Sequence, residues 1–361
     1  MIKNKTTAIK PQLTVYRFTF IFVLNEKLRN LNIQNGVLIY DRIRRFAFFP
    51  EDYLLVGNFD GSLYIWNKSN MCNIRLQSII KAHDIMITTI SSIYFNKYIL
   101  TSSLDGIIKV WNIENIDDIV QIGKLSGHIG RIYQFTNVLR KEYFLSCGVD
   151  KTIKVWNLAN INNIYLVSSI KAHSGSVNAL SELYMDQYLL SGGADNTINI
   201  WKLEHNGELL FISATIAHVN EISCLSELYL GRYIISGSKD RYIKFWDLSN
   251  LKRLILVSQC FAHKKAVKCI LSRIERRNHI WTVGDEIIRL WDISDISVFI
   301  CVCSISDINY DVNCLSYGNS KCYIFGGGFF TGVRVWDIRN INKIKLISVL
   351  KDHKNSILAI R

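Results

Sequence analysis

One tryptophan recurs at a fixed step through most of the chain. Trp66, Trp111, Trp156, Trp201, Trp246, Trp291 and Trp336 each stand 45 residues from the next. The stretches they close share a spelling: TSSLDGIIKVW at 101, SCGVDKTIKVW at 146, SGGADNTINIW at 191 and SGSKDRYIKFW at 236. Seven copies in step argue against two unlike domains and for an array of equivalent units, each too small to bury its own faces. The composition allows this. Hydrophobic residues make up 49% of 361 positions, enough for a large core, and only two prolines leave no room for a proline-rich linker.

Within one unit the pattern is that of strands. YLLSGG (188–193) and TINIW (197–201) flank Ala194-Asp195-Asn196, a turn whose polar side chains can bond their own backbone. VNAL (177–180) before them and ELLFISAT (208–215) after them supply two more. Four strands make one small antiparallel sheet. Stacking such sheets around an axis, and closing the ring, leaves only short protected edges.

Other residues keep the same step. Histidines stand at 83, 128, 173, 218 and 263, give way to Ile308, and return at His353. Aspartates stand at 60, 105, 150, 195, 240 and 285, with Phe330 in the last register. The pieces SGH (126–128), KAH (171–173) and FAH (261–263), with FWD (245–247), LWD (290–292) and VWD (335–337), resemble the repeats of the WD-repeat β-propeller family over about residues 38–353. The resemblance implies an all-β propeller of four-stranded antiparallel blades, seven favoured over eight. It also implies an internal hydrogen-bonded set in a blade: His83, Thr101, Asp105, Trp111; His128, Ser146, Asp150, Trp156; His173, Ser191, Asp195, Trp201; and His218, Ser236, Asp240, Trp246. A fifth set takes His263, Asp285, Trp291 and Thr282, provided the WTVGDEIIRLW turn is one residue short. The first blade, with Leu38 and Val56, and the seventh, with Ile308, Gly326 and Phe330, lack it.

Ser, His and Asp together invite a catalytic reading, but a triad needs one exposed nucleophile with its base and an oxyanion site. Five copies beside five tryptophans fit structural satisfaction of buried polar groups instead. No catalytic residue is therefore assigned. Nor is a metal site or cofactor expected: there is no HExxH, no Cys–His cluster and no phosphate loop, the GGG at 326–328 lying in a strand and turn. The recurrent Asn115-Ile116, Asn160-Ile161 and Asn340-Ile341 read as a turn residue followed by a core residue.

The nine cysteines form no CxxC pair, and Cys301 and Cys303 share one face of a strand. Reduced thiols suit a cytoplasmic or nuclear protein. LTVYRFTFIFVL (13–24) is too short to span a bilayer, is interrupted by Arg17, and reads as a strand, so no membrane insertion is expected.

Function must then lie on the surface. In the propeller the d–a and b–c loops share one rim, where the repeats differ from one another. Met86, Arg131, Ser176, Glu221, Lys264, Lys265 and Asp311 follow the histidine positions; Phe59, Leu104, Val149, Ala194, Lys239 and Phe329 precede or align with the aspartates. Exposed Phe, Leu and Met beside Arg and Lys make a protein-binding rim, the alternative being side chains folded back onto the blade. Arg42, Arg44 and Arg45 of DRIRRFAFF fall on the innermost strand of the first blade, either partly in the channel or at a solvated loop. In the channel, beside Lys264 and Lys265, they would take an acidic or phosphorylated peptide.

Three functions follow. The first is a non-catalytic, monomeric scaffold assembling a multiprotein complex through the loop rim and channel mouth. The second is an adaptor: Trp336-Asp337-Ile338-Arg339 resembles the motif of substrate receptors of cullin-type ubiquitin ligases. The third, from a net charge of +13, is an RNA- or chromatin-associated propeller using a basic rim. The domain reading is residues 1–37 as strands taking part in ring closure, 38–353 as seven repeats, and 354–361 as a closing strand. TVYRFTFIFV and NLNIQ (30–34) would be c-like and d-like strands, with the two ends clasped across the seam.

Overall fold

The computed structural model describes residues 52–71, 73–93, 97–138, 142–183, 187–228, 232–272, 278–306, 312–318, 322–328, 332–351 and 357–360. The chain divides into units 1–47 and 48–361, and every described residue belongs to the second. Among these residues there are strands and turns but no helix.

Among the described residues, twenty-eight strands form seven four-stranded antiparallel sheets. Blade one holds β1 (Tyr53–Asn58), β2 (Ser62–Asn67) and β3 (Arg75–Lys81). Blade two runs β4 (Ile87–Ile93), β5 (Tyr98–Ser103), β6 (Ile108–Asn112), β7 (Val120–Leu125); blade three β8 (Ile132–Val138), β9 (Tyr143–Gly148), β10 (Thr152–Asn157), β11 (Tyr165–Lys171). Blade four runs β12 (Val177–Glu182), β13 (Tyr188–Gly193), β14 (Thr197–Leu203), β15 (Leu209–Ile216); blade five β16 (Ile222–Leu228), β17 (Tyr233–Ser238), β18 (Tyr242–Asp247), β19 (Ile255–Phe261). Blade six runs β20 (Cys269–Ser272), β21 (His279–Gly284), β22 (Ile287–Asp292), β23 (Ile300–Ile305); blade seven β24 (Val312–Tyr317), β25 (Tyr323–Gly328), β26 (Val333–Asp337), β27 (Lys345–Leu350). The last strand, β28 (Ile357–Ile360), pairs with β1 and completes blade one.

Position in the blade explains the strand chemistry. The second strand of each blade is buried on both faces after its first residue, as a strand sandwiched between neighbouring blades must be, and its sequence is nearly continuous in apolar and small residues. The outermost strand alternates or is largely exposed. The first strands β4, β8, β12, β16, β20, β24 and β28 touch one another in turn and close the ring.

Hydrophobic clusters lie between blades rather than within them. One joins Val138, Leu145 and Val155 of blade three to Val177, Leu189 and Trp201 of blade four. At the seam, Ile357 and Ile360 of β28 pack with Phe325 and Val333 of blade seven and with Leu54 and Val56 of blade one. The fit is tight: a Cβ on Gly327 would lie 2.5 Å from Ile357 Cγ2.

β28 therefore supplies the innermost strand of blade one. This corrects the expectation that DRIRRFAFF does so. Arg42, Arg44 and Arg45 themselves, like TVYRFTFIFV and NLNIQ, lie outside the described residues.

The b–c turns show why sequence and spacing vary together. The residue after the aspartate is left-handed: Gly61 and Gly106 in blades one and two, then Lys151 and Asn196 (both φ 69) and Arg241 (φ 79). In blade six both Asp285 (φ 42) and Glu286 (φ 64) are left-handed, and Gly284 pairs with Ile287. That is a two-residue hairpin turn, one residue tighter than its counterparts, and it brings Thr282 into the place of Ser191.

Candidate protein-binding face

Each of the five expected sets comes together, four of them in full. The Trp201 indole N–H donates to Ser191 Oγ at 2.9 Å, Ser191 Oγ meets His173 Nε2 at 2.7 Å, and His173 Nδ1 meets Asp195 at 2.9 Å. The same chain runs Trp156, Ser146, His128, Asp150 at 2.8, 2.7 and 2.8 Å, and Trp246, Ser236, His218, Asp240 at 2.9, 2.7 and 2.7 Å. Trp291, Thr282, His263 and Asp285 join at 2.8, 2.8 and 2.5 Å, with Arg289 added to Asp285 at 2.9 Å. The hydroxyls and imidazoles are buried, so each chain satisfies groups that water cannot reach.

Blade two departs from this. Trp111 and His83 meet Thr101 at 2.9 and 2.8 Å, but Asp105 accepts the Ile107 N–H within its own turn instead of bonding His83. The residue after the histidine differs as well. In the other four sets that residue's N–H donates to the aspartate: Ile129 to Asp150, Ser174 to Asp195, Val219 to Asp240 and Lys264 to Asp285. In blade two it is Asp84, and Asp105 bonds within its own turn.

The electrostatics follow. Burial, reinforced by Lys109 and only partly opposed by Asp105, lowers the His83 pKa to about 4. Burial also lowers His173, His218 and His263, against the pull of their aspartates. Burial alone would raise the Asp195 carboxyl, but hydrogen bonds from Thr197 and His173 outweigh it and hold it at about 2. Asp150, Asp240 and Asp285 are likewise held low by their hydrogen bonds, in spite of burial. In blade seven Gly326 stands where the hydroxyl would be, and the Trp336 ring fills the space, 2.7 Å from any added Cβ.

The b–c turns and d–a loops form one face, tied by backbone bonds: Leu104 N–H to Met86, Val149 to Arg131, Ala194 to Ser176 and Lys239 to Glu221. Phe59 (53% exposed), Leu104 and Val149 project from it. Met86, expected as an exposed anchor, is buried, and its carbonyl accepts the Leu104 N–H. The neighbouring Ile85, together with Ile129 (81% exposed) and Val219 (85%), is exposed instead, one or two places after the histidine. The signal for these three was their apolar character at that register.

The loops that carry one arc adjoin one another: a Cβ on Gly61 would meet the Ile85 carbonyl, one on Gly106 the His128 and Gly130 carbonyls, and one on Gly130 the Val149 side chain, so the turns bearing Phe59, Leu104 and Val149 lie against the loops bearing Ile85 and Ile129 over blades one to three. Blades five and six also carry charged residues there, two of the lysines being paired: Lys239 with Glu221 at 2.6 Å and Lys265 with Glu286 at 2.7 Å. Lys264 is exposed, Ser176 is half-buried and donates to Asn178, and Asp311 and Phe329 lie outside the described residues. Arg339, near the β26–β27 connection, is exposed and gripped by the carboxylate of Asp337 from its own motif, at 2.5 Å. Trp336 is buried.

Elsewhere, Ile116, Ile161 and Ile341 pack against the core while Asn115, Asn160 and Asn340 cap their turns. The eight described cysteines are free thiols. Among the described residues no group of His, Cys, Asp and Glu is placed to hold a metal ion, and no helix is long and apolar enough to cross a membrane.

A family model described as WD domain, G-beta repeat matches residues 74–112, 119–157, 164–202 and 211–247. Each match runs from the outermost strand of one blade through the third strand of the next, so the sequence repeat interlocks neighbouring blades. No curated protein matches the chain.

Proposed function

The chain belongs to the WD-repeat β-propeller family, whose fold generally serves as a protein-interaction scaffold, and we propose that it is a non-catalytic, monomeric scaffold that gathers protein partners on the face of its b–c turns and d–a loops. The observation that carries this reading is the arc of exposed apolar residues on adjoining loops, Phe59, Ile85, Leu104, Ile129 and Val149. Apolar side chains held in solvent by a rigid loop frame, beside polar neighbours, are what an interface core is made from. Five repeats of one Ser/Thr–His set argue for framework and against a single reacting centre.

The scaffold reading is preferred to the ligase-adaptor one because Arg339 is already engaged by Asp337. It is preferred to a nucleic-acid reading because Lys239 and Lys265 spend their charge on Glu221 and Glu286. The free thiols fit a cytoplasmic or nuclear setting. The test is affinity purification with Leu104→Asp/Ile129→Asp against wild type. Partners should be lost at an unchanged melting temperature, since both residues are on the surface. Full recovery of the same partners would move the interface off this arc.

A further inference from the structure

Arg131 stands one residue before β8, the innermost strand of blade three, where the rim turns into the mouth of the ring. It is half-buried. Its guanidinium lies over the Tyr133 ring, 4.8 Å from the centroid, and its Nε is shut off from solvent without a hydrogen-bond partner. Burial lowers the guanidinium pKa, with Tyr133 opposing.

The carboxylate of the adjoining turn is committed elsewhere: Asp150 holds His128, the Ile129 N–H and Thr152. Three other half-buried cations have acceptors: Lys109 and Lys244 bond the carbonyls of Ala82 and Ala217, and Arg289 bonds Asp285. Among the described residues none pairs with Arg131. A desolvated guanidinium without a counter-charge costs stability, and its planar fork matches carboxylate and phosphate oxygens.

The apolar arc meets Arg131 directly. Ile129 is two residues away in the same loop, and the Val149 N–H donates to the Arg131 carbonyl at 2.9 Å. We propose that Arg131 is an anion-binding site, which takes a carboxylate or phosphate group of a partner peptide whose adjacent apolar side chains cover Ile129 and Val149. The proposal deepens the interaction-face reading and rests on it.

The test begins by selecting from a displayed library of random decapeptides on the whole protein. Selected peptides should carry Asp or Glu next to apolar residues. A synthetic peptide from the pool, measured by isothermal titration, should bind Arg131→Gln at least about tenfold more weakly, while Lys239→Gln binds it as wild type does. Changing its acidic residue to Gln should cost the same factor in wild type and nothing further in Arg131→Gln. Replacing that residue by phosphoserine separates the two sources: tighter binding assigns phosphate, weaker binding carboxylate. Arg131→Gln should melt within about 2 °C of wild type, because only the stacking on Tyr133 is lost and no ion-pair partner is stranded; a larger drop would mean that Arg131 is a structural ion-pair member and would overturn the site. Peptides that Ile129→Asp abolishes but Arg131→Gln leaves unchanged would overturn the anion site and leave the face. A library yielding no peptide sensitive to either substitution would overturn both.

Discussion

Replacing Ser191 with alanine decides whether the repeated Ser/Thr–His–Asp sets are framework. Because Asp195 accepts from His173 Nδ1, that nitrogen carries the proton and Nε2 is an acceptor. The Ser191 hydroxyl therefore donates to Nε2 at 2.7 Å while its oxygen accepts the Trp201 N–H at 2.9 Å. Ser191→Ala removes one atom and strands one buried acceptor and one buried donor. Each stranded group costs about 1–3 kcal/mol, and the two share a site, so the expected loss is about 2–4 kcal/mol.

The assay is urea unfolding followed by tryptophan fluorescence and circular dichroism, the agreement of the two serving to check that one transition is measured. Ser191→Thr supplies the control. Thr101 and Thr282 occupy the same place in blades two and six, so threonine should cost less than about 1 kcal/mol. A Ser191→Ala protein within about 0.5 kcal/mol of wild type, or a threonine variant as damaged as alanine, would refute the framework argument.

Acid should unfold the ring earlier than its carboxylates alone predict. His83 at about 4 against 6.5 unfolded means that the unfolded chain binds the proton first, so stability is complete above pH 6.5 and falls by about 3 kcal/mol from this residue as pH drops to 4. His173, His218 and His263 act in the same direction, and the low carboxyls of Asp150, Asp195, Asp240 and Asp285 add a further loss below their unfolded value of 3.8. A urea midpoint flat from pH 7 to about 4.5 would contradict this. At the seam, Ile357 is fully buried against blade seven, so Ile357→Ala should cost about 2–5 kcal/mol, and removal of residues 355–361 should lower the melting temperature of the whole ring. An unchanged melting temperature in the truncated protein would remove β28 from the closure.

The repeat was legible because one constraint is written many times. The step between tryptophans and the Ser/Thr–His pairing are local to each unit, and even the Thr282 shift could be read from the shortened turn. Ring closure was less legible. A cyclic pattern has no marked first strand, and what selects β28 over the segment near residue 42 is packing of Ile357 and Ile360 against Phe325 and Val56, across the whole length of the propeller. The rim was read to within a residue or two. Which of Ile85 and Met86 faces water depends on how the d–a loop seats on the blade, which sequence does not display. Blade two needed two facts held together, the aspartate register and the unlike residue Asp84 beside His83.

That last residue links framework to recognition. In blades three and five the backbone N–H of the residue after the histidine is fixed by the blade's aspartate, and its side chain points away: Ile129 and Val219 are among the most exposed apolar residues of the protein. In blades three to six the polar set thus holds one position of the d–a loop outward while leaving its identity free. Ile, Ser, Val and Lys occupy that position in blades three to six, at no cost to the hydrogen bond that presents them. Presentation by a bond from backbone rather than side chain removes loop-ordering entropy from the binding step. Where the bond is absent, in blade two, Asp84 occupies the presented position and the apolar residue moves to Ile85, one place later. A surface that varies residue by residue on an invariant frame can acquire a new partner without renegotiating its fold.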